Sequence, residues 1–196
     1  ITVAVGDRVF YAGDVTRSGS NSQFQAVDSR IVALAPKTLK DDEAAVLPLT
    51  SITAWEGLFD RLNVKKEEKK TILIIGGAGG VGSIATQIAK QTTNLTVIST
   101  ASRSETINWC KKMGADHVVN HRDLSKSVKK AGYESVDYIF NLANTSSHWD
   151  AMVELIAPQG KICSIVDSTG SIDINKLKSK SVTFVWEFMF TRTMFN

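Results

Sequence analysis

The chain has 196 residues, a formal charge of +3, 43% hydrophobic residues and 22% charged residues, which is ordinary globular composition and excludes a disordered or low-complexity chain. No apolar run reaches the roughly 18 residues needed to span a bilayer, and so weak a positive charge gives no argument for nucleic-acid binding. Cys110 and Cys163 are the only cysteines, which excludes a disulfide scaffold or a four-cysteine zinc site, and with no signal peptide the expected compartment is the cytoplasm.

Both ends read as cut from a longer protein. The chain opens on Ile1-Thr2-Val3-Ala4-Val5, already strand-like, and stops at Thr193-Met194-Phe195-Asn196, just after the apolar run from Phe184 to Phe190. Residues up to about 50 read as short strands and turns. Val5-Gly6-Asp7-Arg8-Val9 sets a turn pair between β-branched residues, Tyr11-Ala12-Gly13-Asp14 closes the next strand, and Ser18 to Ser22 is a loop. Phe24 to Val27 and Ile31 to Leu34 are further strand candidates. After Pro36 the pattern turns helical, with Asp41-Asp42-Glu43 in a first turn and a helical stretch from Thr50 to Leu62. The mixed-sign run Lys65 to Lys70 reads as a solvated linker rather than an anion-binding patch.

From residue 71 strands and helices alternate. Thr71 to Ile75 is a continuous apolar run, as a parallel strand buried on both faces requires. Gly80 to Gln91 places Val81, Ile84, Ala85, Ile88 and Ala89 on one helical stripe. Leu95 to Thr100 is a second strand, Arg103 to Met113 a helix ended by Gly114, and His117 to Asn120 a third strand. Val136 to Leu142, Lys161 to Val166 and Val182 to Trp186 complete six, with a helix over Ser147 to Ile156. Six strands with helical crossovers predict an α/β, doubly wound parallel sheet of the Rossmann kind.

Between the first of these strands and its helix stands Gly77-Ala78-Gly79-Gly80-Val81-Gly82. A GxGxxG string alone is weak, but strand-turn-helix is the context that gives it a mechanism. The first glycine permits the turn, the second admits a pyrophosphate to the backbone, and the third lets helix and strand pack closely. A P-loop is excluded because Gly82 is followed by Ser83-Ile84 and no lysine. A short-chain dehydrogenase would place Lys four residues after its Tyr, whereas Tyr11, Tyr133 and Tyr138 are followed there by Val15, Asp137 and Leu142.

About twenty residues beyond the turn, where an NAD enzyme or a methyltransferase keeps a carboxylate for the ribose hydroxyls, the chain reads Ser99-Thr100-Ala101-Ser102-Arg103. No acid is there. Arg103 can pair with a 2′-phosphate through fork-shaped, charge-assisted hydrogen bonds, and Ser102 can add a donor, so the expected cofactor is NADPH rather than NADH. Glu105 stands three residues after Ser102 and reads as its capping-box partner. His121, ending the third strand, either faces the same phosphate or is a surface histidine.

Val5-Gly6-Asp7-Arg8-Val9, then Glu43 to Leu47 leading to Thr53-Ala54-Trp55, then Gly77 to Gly82, occur in an order that resembles the medium-chain dehydrogenase/reductases. Within them the chain is most similar to the zinc-free quinone oxidoreductase branch, also labelled zinc-type alcohol dehydrogenase-like. The resemblance implies the end of a β-rich, GroES-like catalytic domain over residues 1–52 and a Rossmann NADP-binding domain over 53–196. It also implies a substrate that is a quinone or an α,β-unsaturated carbonyl, and a homodimer joined edge to edge through residues 182–186.

The resemblance assigns pyrophosphate contact to Gly77, Gly79, Gly80, Val81 and Gly82. Phosphate and adenosine contact falls to Thr100, Ser102, Arg103 and His121, the lining of ribose and nicotinamide to Asn141, Leu142, Ile165 and Val166, and a nicotinamide contact to Thr53. Zinc-dependent members carry four cysteines in the stretch matching residues 10–35, where this chain has none, and Leu49 fills the slot of their third catalytic ligand. His117, His121 and His148 have no ligand-like spacing. The expected chemistry is hydride transfer without zinc, with no proton donor assigned among these residues. A non-catalytic NADPH-binding sensor or structural module fits the same motifs, while nucleic-acid binding in the cofactor groove has little charge to support it.

Overall fold

A computed structural model describes residues 3–195. The chain divides into two compact units, one holding the residues up to Thr53 with those from Phe188 onward, the other Ala54–Glu187.

The first unit contains less strand than its sequence predicts. Among its described residues one ladder forms, joining β1 (Val9–Phe10) to β2 (Ala33–Leu34), antiparallel. Val3 to Val5 and Phe24 to Val27 form no strand, and Ile31 closes a 3₁₀ turn, Ser29–Ile31, that Asp28 caps. Ile1 and Thr2, the start of the first expected strand, lie outside the described residues, as does Asn196. Val5 and Phe24, in the two segments that form no strand, are both exposed, and propensity without burial does not hold a strand. Arg8 instead gathers the chain, its guanidinium donating to Asp41 Oδ1 and to the carbonyls of Pro36 and Leu39. α1 (Asp41–Ala45) follows with its acids in the first turn as expected, and the Glu43 carboxylate accepts the Lys40 N–H at 2.9 Å. α2 (Leu47–Trp55) carries the chain out of this unit, and the π-helical turn Glu56–Arg61 after it belongs to the second. A short α7 (Thr191–Phe195) ends the unit.

In the second unit β3 (Thr71–Ile75), α3 (Gly80–Thr92), β4 (Thr96–Thr100), α4 (Ser104–Lys112), β5 (His117–Val119), α5 (Leu124–Lys130), β6 (Val136–Asn141), α6 (Thr145–Leu155), β7 (Ile156–Ser164) and β8 (Thr183–Trp186) alternate along the chain. The sheet order is β5-β4-β3-β6-β7-β8, and every pair is parallel. The sheet is doubly wound and parallel, as the sequence predicts, and its order is the Rossmann one, with the reversal of direction falling between β3 and β6. Period-two alternation divides the core: Leu73, Ile75, Ile98, Ile139 and Ile162 pack on one face, and Ile72, Ile74, Val97, Tyr138, Phe140 and Cys163 on the other. All but Tyr138, at 3%, are fully buried.

Three local details depart from the pattern expected of the sequence. α5 has only Leu124 and Val128 buried, one i,i+4 pair among lysines and serines, too thin a stripe to signal a helix. β7 begins at Ile156 rather than Lys161: Val136 pairs with Ile156 and Tyr138 with Lys161, so residues between them bulge, with Gln159 at φ 62. α4 is capped differently, since Arg103 is the N-cap and its N–H donates to Thr106 Oγ1 at 3.3 Å. Glu105 is therefore not the capping-box partner of Ser102 and is left free to pair with Arg103. Among the described residues no helix is long and apolar enough to cross a membrane.

Candidate functional site

At the carboxyl ends of the strands, where the sheet reverses direction, a cleft of about 300 Å³ opens, as ligand sites in this architecture do. Its walls come from the end of β3 and the turn after it (Ile75, Gly76, Ala78, Gly79), from the end of β4 and the start of α4 (Thr100 to Arg103, Thr106), from His121, and from Leu142, Ala143 and His148. Of the residues singled out by sequence, it brings together Gly79, Thr100, Ser102, Arg103, His121 and Leu142.

The glycines divide their roles differently from the expected scheme. The turn itself is made by Gly76, at φ +85, the residue before the motif; its left-handed backbone is what glycine alone adopts without strain. Gly77 serves packing instead, since a Cβ there would stand 2.6 Å from Ser99 Cβ. Gly82 lets α3 press on the turn, because its Cβ would meet Gly76 O at 2.4 Å. Gly79 lines the cleft, and a side chain there would meet only Gly76 O, at 3.3 Å, within 4 Å, so bare backbone keeps that approach open. Gly80 begins α3, and Val81 packs into the second core face.

Hydrogen bonds hold this turn in place. The Gly79 N–H donates to Gly76 O at 3.0 Å, and the Gly76 N–H to Thr100 Oγ1 at 2.9 Å. Trp109 Nε1 donates to Ser83 Oγ, which donates in turn to Gly79 O, both at 2.7 Å, tying α4 to the head of α3. The first N–H groups of α3 are thereby fixed with the positive end of the helix dipole toward the cleft, a geometry that favours an anion.

At the other end stands Arg103, exposed, its Nε 3.3 Å from Glu105 Oε1, with both side chains mostly in solvent. An ion pair so exposed is worth little and yields readily to a better partner. No Asp or Glu lines the cleft. His121 and His148 also line the cleft, their rings edge to face with centroids 6.3 Å apart. Burial, and then the charge of His121, hold the His148 imidazole below its ordinary pKa.

The remaining expected contacts take other places. Asn141 is fully buried, its Nδ2 donating to Thr145 Oγ1 and Ser164 Oγ, both at 2.9 Å. Thr145 Oγ1 also donates to Val166 O. Asn141 and Val166 thus belong to a polar network joining β6, β7 and α6 rather than to the wall of the cleft. Ile165 packs on the second core face. Thr53 lies on α2 in the first unit, its hydroxyl donating to Leu49 O at 2.8 Å. Sequence reasoning missed Gly76 and His148. Only the backbone angle reveals the first, and the second stands on a helix with no motif around it.

The zinc-binding dehydrogenase family model matches residues 80–196. The chain belongs to this family. A zinc-type alcohol dehydrogenase-like protein of Staphylococcus aureus (strain MSSA476) is 53% identical over 192 residues, which are 95% of this chain and 57% of that protein. A Rhizobium etli CFN 42 protein named after zinc-dependent alcohol dehydrogenases is 52% identical, with a TM-score of 0.92 over 97% of this chain and 57% of its own. The mycobacterial Rv1454c, solved with NADPH, is 26% identical with a TM-score of 0.75, over 86% of this chain and 52% of its own. A 2-methylene-furan-3-one reductase of Solanum lycopersicum is 39% identical over 103 residues, 53% of this chain and 26% of that protein. The chain thus spans just over half the length of the first of these relatives.

The family name raises zinc, and the residues present do not suit it. Among the described residues no three His, Cys, Asp or Glu side chains form a group that could hold a metal ion. Cys110 and Cys163 are both buried, their thiols pushed up chiefly by burial and, for Cys163, by the charge of Glu187 as well, the reverse of the thiolate a metal requires.

Proposed function

We propose that the chain is the cofactor-binding part of an NADPH-dependent oxidoreductase that transfers hydride to a quinone or an α,β-unsaturated carbonyl without zinc. One observation carries this reading. A cleft headed by a diphosphate-type turn ends at Arg103 and contains no carboxylate to hold an unphosphorylated ribose. The N–H groups at the head of α3 suit the diphosphate, and Ser102 with Arg103 suits the 2′-phosphate. The NADPH-bound relative and the tomato enone reductase lend support.

A bound reduced nicotinamide supplies the hydride. The polypeptide contributes binding, orientation and a dry wall of Ile75, Leu142 and Ala143. An electron-poor acceptor delocalises the incoming charge onto its own carbonyl oxygen, so a hydrocarbon side chain such as Leu49, which offers a metal no lone pair, is compatible with the chemistry. We further propose that the full protein pairs through β8, an edge strand bonded on one side only, to β7.

The test compares NADPH and NADH affinity in the full-length protein and in Arg103→Ala, beside NADPH oxidation with a panel of quinones and enones. Losing charge-assisted hydrogen bonds worth about 1.5–3 kcal/mol weakens NADPH by roughly 10- to 100-fold and leaves NADH within about twofold. Equal affinity for both nucleotides in the wild type overturns the cofactor assignment. Selective binding without turnover on any acceptor overturns the hydride transfer.

A further inference from the structure

We propose that His121 and His148 form a proton-linked second half of the phosphate-recognition end, so that NADPH binds together with a proton and NADH does not. The inference rests on the cleft being an NADPH site. It starts from charge. Arg103 is the one permanent cation on the cleft wall, and Glu105 beside it offsets part of its field. A 2′-phosphate carries between one and two negative charges near neutral pH, more than this arrangement balances. The other cleft-lining groups able to become positive are the two imidazoles, and they line the same cleft as Arg103, Ser102 and Thr106.

The surroundings of the pair favour such a response. His121 opens the 3₁₀ turn His121–Asp123, whose Arg122 and Asp123 are exposed. His148 sits in α6, where the neighbouring acid Asp150 is held by Lys176 Nζ at 2.6 Å. His117, on β5, has its Nε2 bonded to Tyr133 Oη at 2.9 Å. No carboxylate faces the two rings from the cleft wall, so nothing there stabilises a second positive charge while the cleft is empty. In that state half-burial and the field of His121 disfavour the His148 cation. A phosphate entering the same space reverses the sign of the local field and raises the affinity of the pair for a proton.

Linkage then requires NADPH affinity to rise as pH falls, by up to about tenfold per pH unit for each proton taken up. The phosphate's own titration acts oppositely. Its second pKa lies near 6, and binding to cations drives that proton off. The direction of net proton transfer therefore separates a histidine contribution from one made by Arg103 alone.

The experiment is calorimetry of NADPH and NADH binding to the full-length protein from pH 6 to 8, in paired buffers of low and high ionisation enthalpy, repeated on His148→Asn and His121→Asn with thermal melts as a folding control. The expected result is net proton uptake with NADPH, at least fivefold tighter NADPH binding at pH 6 than at pH 8, and neither effect with NADH. Each variant reduces the uptake and flattens the NADPH profile. Selective NADPH binding with zero uptake or with proton release overturns the inference and leaves the cofactor assignment standing. So do Asn variants that keep the wild-type profile, or that weaken NADPH and NADH alike, which would make the rings a base contact. Equal affinity for the two nucleotides at every pH overturns the cofactor assignment and the inference with it.

Discussion

Replacing Gly82 by Ala tests the architecture of the turn directly. The new methyl would stand 2.4 Å from Gly76 O and 2.8 Å from the Gly77 carbonyl carbon and Cα. All three are backbone atoms, so no side chain can swing aside, and α3 must move away from the turn by on the order of 1 Å to reach ordinary contact. Alanine in a helix gains about 1 kcal/mol over glycine. Overpacking costs about 1–3 kcal/mol, and the shift strains the bonds from Gly79 N–H to Gly76 O and from Gly76 N–H to Thr100 Oγ1, each worth about 1 kcal/mol. The balance is a loss of roughly 1–3 kcal/mol, read as a lower urea midpoint. On the proposed cofactor assignment NADPH affinity falls more than about tenfold, because the N–H groups at the head of α3 move with the helix. Gly170→Ala is the control: nothing lies within 4 Å of its Cβ, and its effect stays within about 0.5 kcal/mol. A Gly82→Ala protein as stable as the wild type, with NADPH affinity within twofold, would refute this account of the turn.

Two further predictions follow from the far side of the sheet. Beyond β8, Glu187 is buried with its Oε2 2.7 Å from Arg61 Nε, while Glu56 Oε2 stands 3.7 Å from the same guanidinium. Burial, and then the neighbouring Glu56 charge, push the Glu187 carboxyl from 4.5 up to about 7. The native state therefore holds a proton that the unfolded chain releases. The stability from this group is complete below about pH 4.5 and is lost as pH climbs through about 7, at up to about 1.4 kcal/mol per pH unit. Glu187→Gln should flatten that decline in urea titrations between pH 5 and 8, and an unchanged slope would count against a proton held on Glu187. For the proposed edge pairing, Trp186 is 47% exposed on β8; Trp186→Asp should convert a dimer to a monomer in sedimentation of the full-length protein, and a monomeric wild type would end the proposal.

Much of the second unit was legible because parallel strands covered on both faces must be apolar through their middles, as Ile72 to Ile75 and Tyr138 to Phe140 are. Helix periodicity and the glycine string then placed the crossovers α3, α4 and α6 and the turn, while α5 left too thin a stripe to be seen. The first unit misled because residues such as Val5 and Phe24 signal strand by propensity wherever they occur, while the structure leaves them in solvent. Within the site, Arg103 could be found by counting from the turn. Asn141 could not be separated from a cofactor contact, since a polar residue ending a strand looks the same whether it faces a ligand or bonds to Thr145 and Ser164. His148 comes to the cleft through the packing of α6, which spacing in the sequence does not express.

The hydrogen bond from the Gly76 amide to Thr100 Oγ1 has a consequence for coenzyme engineering. It makes the last residue of β4 a structural member of the neighbouring loop. Mutant libraries meant to swap one nucleotide for the other should vary Ser102 and Arg103 and keep a hydroxyl at position 100, since randomising all three would discard most clones for slack loops before their selectivity could be scored.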